Sequence, residues 1–299
     1  MNILITGAWR GWKDCEEALE AMGHKVAFMQ QEKDPVPVPC EWVEGVVCNG
    51  LFLHHDIDRF PNLKYIQLTS AGMDRIPEEK IQARGIRVHN ARGVYSVPMA
   101  EFALGGVLQL YKRSRYFAEN QRLHRWEKHR GLLELAGKTV CILGCGSVGT
   151  ECAKRFRAFG CQVVGVARSS RENPDYDEIL PMEMLDTVLS RSDVVVLTLP
   201  LTADTRHLMD RSRFAAMKPG SILVNIARGA IVDAEALIQA LEEKLGGAVL
   251  DVFEEEPLSP HSPLWEMEHV ILTPHNSFVG QGNGARLARI IMDNLEKET

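Results

Sequence analysis

Short apolar runs alternate with stretches of helical periodicity from one end of the chain to the other. Asn2–Thr6, Lys25–Phe28, Gly45–Cys48 and Lys64–Leu68 form a first series of strand-like runs. Thr139–Leu143, Gln162–Val166, Asp193–Leu197, Ser221–Asn225, Ala248–Val252 and Val270–Leu272 form a second. These runs are nearly continuous in apolar residues rather than alternating, the pattern of parallel strands covered on both faces. Helices lie between them. Val148, Cys152, Phe156 and Phe159 recur at helical spacing, with Gly160 as a stop. Asp233 is placed to cap a helix that carries Leu237, Leu241 and Leu245 on one face and ends at Gly246-Gly247. Ser96 opens a long apolar helix running to about Tyr111, where Gly105-Gly106 permit close packing.

Strand–helix alternation with right-handed crossovers predicts an α/β fold of two doubly wound parallel sheets. Two strand series imply two domains, with the break near residues 93–96. The tail after His275 is too short to form a domain and is expected to return to the first one. The expected division is therefore 1–95 with 276–299, and 96–275. The Pro-rich Asp34–Pro39 segment reads as a surface connection within the first domain.

Composition narrows the classes of function. The chain has 299 residues, of which 45% are hydrophobic, enough for two cores. Its net charge of -6 speaks against a nucleic-acid partner, because gripping a phosphate backbone needs clustered Lys and Arg. The basic stretches Lys112–Arg115 and His124–Arg130 read as solvated helix faces. Met1–Gly7 reads as a strand and turn rather than a leader, and the apolar stretch around Val194–Leu201 is too short to span a bilayer. A cytoplasmic protein with no membrane partner is expected. The seven cysteines form no CxxC pair, and Cys141, Cys145, Cys152 and Cys161 fall within strand and helix patterns. Reduced core thiols and no metal site are expected.

The strongest chemical signal is Gly144-Cys145-Gly146-Ser147-Val148-Gly149, directly after the Thr139–Leu143 strand and leading into a helix. The first glycine makes the tight turn, the second lets a pyrophosphate approach the backbone, and the third packs helix on sheet. The helix N-terminus then offers unpaired N–H groups to phosphate. The next strand runs into Ala167-Arg168-Ser169-Ser170-Arg171. An acid at that tip would bind the ribose 2′-OH of NAD. Here Arg168, Ser169 and Arg171 instead suit a 2′-phosphate, so NADP(H) is the expected cofactor, with NAD(H) possible. Thr6-Gly7-Ala8-Trp9-Arg10-Gly11 imitates the opening of short-chain dehydrogenases. That chemistry needs Tyr-x-x-x-Lys, and Tyr95, Tyr111 and Tyr116 are followed at that offset by Met99, Arg115 and Asn120.

Three segments at strand ends carry further chemistry: Asn225–Gly229 with Arg228, Asp251–Leu258 with three successive glutamates, and Thr273–Asn276 with His275. An arginine fork suits a carboxylate, and a histidine suits proton transfer. Each alone also has an ordinary reading, as a surface arginine, an acidic loop or a turn histidine.

Taken together, the chain resembles the D-isomer-specific 2-hydroxyacid dehydrogenases. The match includes Thr69–Asp74, Asn90–Gly93, Ala100–Leu104, the glycine loop, Leu199–Thr202 and the three segments above. The resemblance implies a Rossmann nucleotide domain in the middle of the chain and a flavodoxin-like substrate domain built from both ends. It also implies a cleft between the two and a homodimer. In it, Arg228 holds the substrate carboxylate and keto oxygen, His275 is the acid/base, and Glu256, directly before Pro257, partners His275. Leu199, Pro200, Thr205 and Ala227 fall among the cofactor contacts, and Asp251 stands where the family has an acid near the nicotinamide. The backbone at Ala71 and Gly72 is placed for the substrate carboxylate, and Trp126 for the partner subunit's pocket. The bland alternative for Trp126 is a cover for its own surface helix.

The Arg168–Arg171 tip is closest in character to the NADP-dependent glyoxylate/hydroxypyruvate reductases. The resemblance therefore implies an oxidoreductase that reduces a small 2-keto acid to the D-2-hydroxy acid. The first domain is somewhat short for the family, and Asn276 stands where an aliphatic residue is commoner. Two other readings remain open. One is an NAD-linked D-3-phosphoglycerate or D-lactate dehydrogenase, disfavoured by the absence of a regulatory domain after residue 299. The other is a dinucleotide-sensing corepressor of the same fold.

Overall fold

In the computed structural model, which describes residues 1–298, five parallel strands open the chain. They are β1 (Asn2–Thr6), β2 (Lys25–Met29), β3 (Gly45–Cys48), β4 (Tyr65–Leu68) and β5 (Arg87–His89), in the order β2-β1-β3-β4-β5. Seven more parallel strands follow: β6 (Thr139–Leu143), β7 (Gln162–Ala167), β8 (Glu178–Pro181), β9 (Val194–Leu197), β10 (Ile222–Asn225), β11 (Gly247–Leu250) and β12 (Val270–Leu272). Their order is β12-β11-β10-β9-β6-β7-β8. These are the two doubly wound parallel sheets that the apolar runs predict.

Strands β5 and β8 have no counterpart in the sequence reading. Both are edge strands, only partly buried, so neither carries a continuous apolar run. Strand β11 also stops at Leu250, before the expected Val252, because the chain turns at Asp251, whose N–H donates to Asn225 O at 3.0 Å.

The chain divides into two units, Met1–Tyr95 with the residues from Gly280 onward, and Ser96–Val279. The second unit thus runs four residues past His275, and hydrogen bonds described below hold those residues there.

In the first unit, alternate residues of β1 face opposite cores. Leu4 packs with Val46, Ile66 and Leu68, whereas Ile3 and Ile5 pack with Leu287, Ile291 and Leu295 of the helix Asn283–Glu296. In the second unit, Val140 and Ile142 pack against the helices Ser96–Tyr111 and Ser147–Ala158. Cys141 and Leu143 face Leu185–Arg191, Arg211–Ala216 and Ala234–Glu243. Of the glycine pair in the first of these helices, Gly106 makes the close approach: a Cβ there would lie 2.6 Å from Val249 Cγ1. Asp233 caps its helix by accepting from the N–H of Ala236.

Strand order reverses between β6 and β9, whose following loops diverge. Open α/β sheets place their ligands in that crevice, at the carboxyl ends of the strands.

Candidate active site

The glycine turn sits at this reversal. Gly144 has φ +103°, and a Cβ on it would lie 2.9 Å from the backbone of Thr198 and Leu199. Only glycine serves here, for both reasons. A Cβ on Gly149 would lie 2.1 Å from Gly144 O, so the third glycine lets the helix sit on the turn. Gly146 differs, because nothing lies within 4 Å of its hypothetical Cβ. The space a side chain would fill is open, as a backbone approached by pyrophosphate requires. The helix Ser147–Ala158 has no side-chain cap at its N-terminus, so its first N–H groups, near Ser147, Val148 and Gly149, remain for a phosphate.

Thr198, which sequence reasoning missed, pins the turn. Its Oγ1 donates toward Gly144 O at 2.5 Å, and its N–H donates to Leu143 O. The available signal was a hydroxyl residue inside an apolar run. Leu199 and Pro200 follow it. Thr205 closes their loop by donating to Pro200 O and accepting from the Thr202 N–H, and it is itself buried.

At the end of β7, Arg168 and Ser169 are exposed, and Arg168 has no hydrogen-bond or ion-pair partner among the described residues. Arg171 instead donates to Cys145 O, tying the basic tip to the glycine turn. Cys145 is buried, and burial pushes its thiol pKa up; the Cys141 and Cys152 thiols are pushed up to about 12 in the same way. None of these thiols is a nucleophile for chemistry at the turn.

The other three segments leave the carboxyl ends of β10, β11 and β12, which are neighbours in the sheet. Arg228 follows β10. The turn that presents it is shaped by buried Asn225, whose side chain accepts from the Ala227 N–H and donates to Arg228 O. After β11, Glu256 accepts from His275: Oε2 lies 2.9 Å from Nδ1, and Oε1 accepts from the Phe253 N–H at 3.0 Å. Glu254 is engaged elsewhere, with Arg206 at 2.9 Å and His207 at 2.9 Å. Geometry alone therefore singles out Glu256 among the three glutamates. With Nδ1 on Glu256, the remaining ring nitrogen, Nε2, is the atom His275 can offer to a ligand. Phe278 packs edge-on against the His275 ring at 6.2 Å.

The surroundings of the remaining expected site residues differ. Asp251 is fully buried and its carboxylate is bonded within the protein. Ala71 and Gly72 lie in the first unit, on the loop after β4. Trp126 is 98% exposed, so it does not cover its own helix as the bland alternative had it. Among the described residues no three metal-ligating side chains converge, and no helix is long and apolar enough to cross a membrane.

A turn open to pyrophosphate and a histidine–carboxylate pair at the ends of one sheet suit a single chemistry, oxidation or reduction with a bound dinucleotide. The class follows from the family comparison. Residues 104–277 match the family described as "D-isomer specific 2-hydroxyacid dehydrogenase, NAD binding domain", and the chain belongs to that family of oxidoreductases acting on CH–OH groups. Among its relatives, the glyoxylate reductase of Thermofilum pendens is 37% identical over 248 residues, covering 80% of this chain and 73% of that one. A D-isomer-specific 2-hydroxyacid dehydrogenase family protein from Aeromonas salmonicida superposes with a TM-score of 0.85 at 31% identity, covering 98% and 94% of the two chains. The family enzyme from Xanthobacter autotrophicus, solved with NADPH and MES, superposes with a TM-score of 0.80 at 30% identity, covering 99% and 95%.

Proposed function

We propose that this 2-hydroxyacid dehydrogenase reduces a small 2-keto acid of the glyoxylate or hydroxypyruvate type to the D-2-hydroxy acid, with NADPH as reductant. One observation carries the cofactor choice. The exposed tip of β7 holds an unpartnered Arg168 beside Ser169 and Arg171, and no carboxylate occupies residues 167–171. A 2′-phosphate dianion fits that set, whereas a ribose hydroxyl gains no carboxylate acceptor from it. The name of the Thermofilum relative supports a short keto acid.

Bound NADPH supplies a hydride to the keto carbon. The remaining work falls to the chain. Arg228 holds the substrate carboxylate and offsets the negative charge that grows on the keto oxygen. His275, as imidazolium, gives that oxygen its proton from Nε2. Glu256, on Nδ1, fixes the ring orientation and balances the positive charge. The backbone at Ala71 and Gly72 is proposed as a further contact for the substrate carboxylate. Hydride plus proton completes the alcohol, so no further reductant is required.

The protein is further proposed to act as a homodimer in the cytoplasm, with Trp126 serving the partner's substrate pocket. The unburied indole supports this, because a large amphipathic ring suits a protein interface. Light scattering at micromolar concentration should report a dimer.

Initial rates with NADPH and NADH across glyoxylate, hydroxypyruvate, pyruvate and bulkier keto acids test the reading. Higher kcat/KM with NADPH and a short keto acid supports it. A preference for NADH with phosphorylated substrates or pyruvate would instead select the NAD-linked phosphoglycerate or lactate enzymes, and no turnover would leave the corepressor.

A further inference from the structure

Three strand ends of the first unit converge on one side chain. Glu32, in the segment after β2, accepts through Oε1 from the Asn49 N–H at 2.6 Å and from Thr6 Oγ1 at 2.8 Å, and through Oε2 from the Gly50 N–H at 2.7 Å. Thr6 is the last residue of β1, and Asn49 and Gly50 directly follow β3. Gly7 permits the approach: a Cβ there would lie 2.2 Å from Gln30 O, so the chain leading to Glu32 can lie against the end of β1. Successive N–H groups in a turn form a concave site for an anion. Here the chain's own carboxylate fills it, with the short bonds of an ionised acceptor.

This site borders the proposed contact for the substrate carboxylate. Thr69 N–H donates to Cys48 O at 2.9 Å, which lays the start of the loop carrying Ala71 and Gly72 beside Asn49. Arg75, farther along that loop, comes back to Gly50. A Cβ on Gly50 would lie 3.5 Å from Glu32 Oε2 and 3.9 Å from Arg75 Cδ. Arg75 is exposed and has no hydrogen-bond or ion-pair partner among the described residues. Two N–H groups, a hydroxyl and a nearby guanidinium are the equipment of an anion site, and Glu32 holds it.

We infer that Glu32 is a specificity-determining residue: it fills an anion site at the carboxyl edge of the first sheet and so rejects 2-keto acids that carry a second anionic group. Specificity is often achieved by repelling the wrong ligand as well as by attracting the right one. A phosphate on C3 of the keto acid meets a fixed carboxylate whose donors are already used. A hydroxyl or a hydrogen in that place meets no such opposition.

The inference rests on the proposed reduction of a short 2-keto acid, and the experiment separates the two. kcat/KM is measured with glyoxylate, hydroxypyruvate and 3-phosphohydroxypyruvate for wild type, Glu32→Ala, Glu32→Gln and the double variant Glu32→Ala with Arg75→Ala. The readout is the ratio of 3-phosphohydroxypyruvate to hydroxypyruvate, because a merely loosened loop lowers both values together. In Glu32→Ala the ratio should rise by about tenfold or more, the size of one charge-assisted hydrogen bond gained. In the double variant it should fall back, since the guanidinium that receives the phosphate is gone. A wild type active on hydroxypyruvate, with the same ratio in Glu32→Ala, overturns the inference and leaves the reduction standing. A wild type that reduces neither glyoxylate nor hydroxypyruvate ends the parent reading and the inference with it. Should Glu32→Ala fail to fold, Glu32→Gln decides, as it keeps the side-chain shape without the charge. A higher ratio in Glu32→Gln supports exclusion by charge, and the wild-type ratio refutes it.

Discussion

The backbone of Phe253 lies directly against Gly229: a Cβ on that glycine would sit 1.8 Å from the Phe253 carbonyl carbon and 2.2 Å from Glu254 N. The residue after Arg228 and the loop that carries Glu256 are therefore one packed unit. Gly229→Ala should push the loop away and disturb both sides of the site at once. A shift of about 1 Å can reduce rate by about 10²-fold, and kcat in steady-state assays should fall by that order. Wild-type kcat in a folded Gly229→Ala protein would show that this packing does not set the geometry.

Arg168→Ala should remove most of the preference for NADPH. A charge-assisted hydrogen bond contributes about 1.5–3 kcal/mol, so the NADPH Michaelis constant should rise by about tenfold or more. The NADH constant should change little. Paired titrations of both cofactors at saturating keto acid give the comparison.

Removing the imidazole should cut turnover further than removing its partner. His275→Ala is expected to lower kcat by about 10²–10⁴-fold, the range of general acid–base catalysis. Glu256→Gln keeps the side-chain shape but loses the charge on Nδ1, and should retain intermediate activity. Equal activity in Glu256→Gln and wild type would argue against the pair.

Asp193 makes a prediction about stability. Burial alone would raise its carboxyl pKa, but hydrogen bonds from Lys218 Nζ at 2.7 Å and Thr139 N–H at 2.9 Å outweigh this and hold it below the usual carboxylate range. A depressed folded-state value stabilises the protein above the unfolded pKa of about 3.9, and that contribution is lost as pH falls through the folded value. Asp193→Asn should therefore destabilise the protein at pH 7 by about 1.5–3 kcal/mol. The gap should begin to narrow as pH falls below about 4 and close only below the folded value. Denaturant melts at several pH values measure it, and a gap that does not narrow as the pH is lowered would assign it to packing.

Trp126→Ala should shift the substrate ranking toward bulkier 2-keto acids without changing NADPH affinity. The 98% exposed indole has no packing role in its own chain to lose. An unchanged ranking in a dimeric variant would move specificity to the first unit.

Much of this arrangement is visible in the sequence because it depends on residue types with narrow uses. Gly144 and Gly149 stand where no side chain fits, and the runs that form β6, β9 and β10 are apolar throughout since both faces are covered. Spacing was less informative wherever function depends on direction. Asp251 reads as an acid near the cofactor, and spacing does not show that its oxygens also accept from the Asn276 and Ser277 N–H groups. Arg168 and Arg171 look alike in sequence, but one has no partner among the described residues and the other donates to Cys145 O. The edge strands β5 and β8 escaped notice because half-exposed strands need no apolar signature.

The helix Asn283–Glu296 covers one face of the sheet that begins at Asn2, with Leu287, Ile291 and Leu295 packed on Ile3 and Ile5. On the ribosome, β1 must therefore wait for a helix made long after it. At about 5–20 residues per second, β1 spends tens of seconds with that face uncovered while the middle unit is still being synthesised. The second unit, continuous from Ser96 to Val279, is complete in sequence before the first. In the nascent chain, the sheet that begins at Asn2 therefore stays open to chaperones after the second unit is complete.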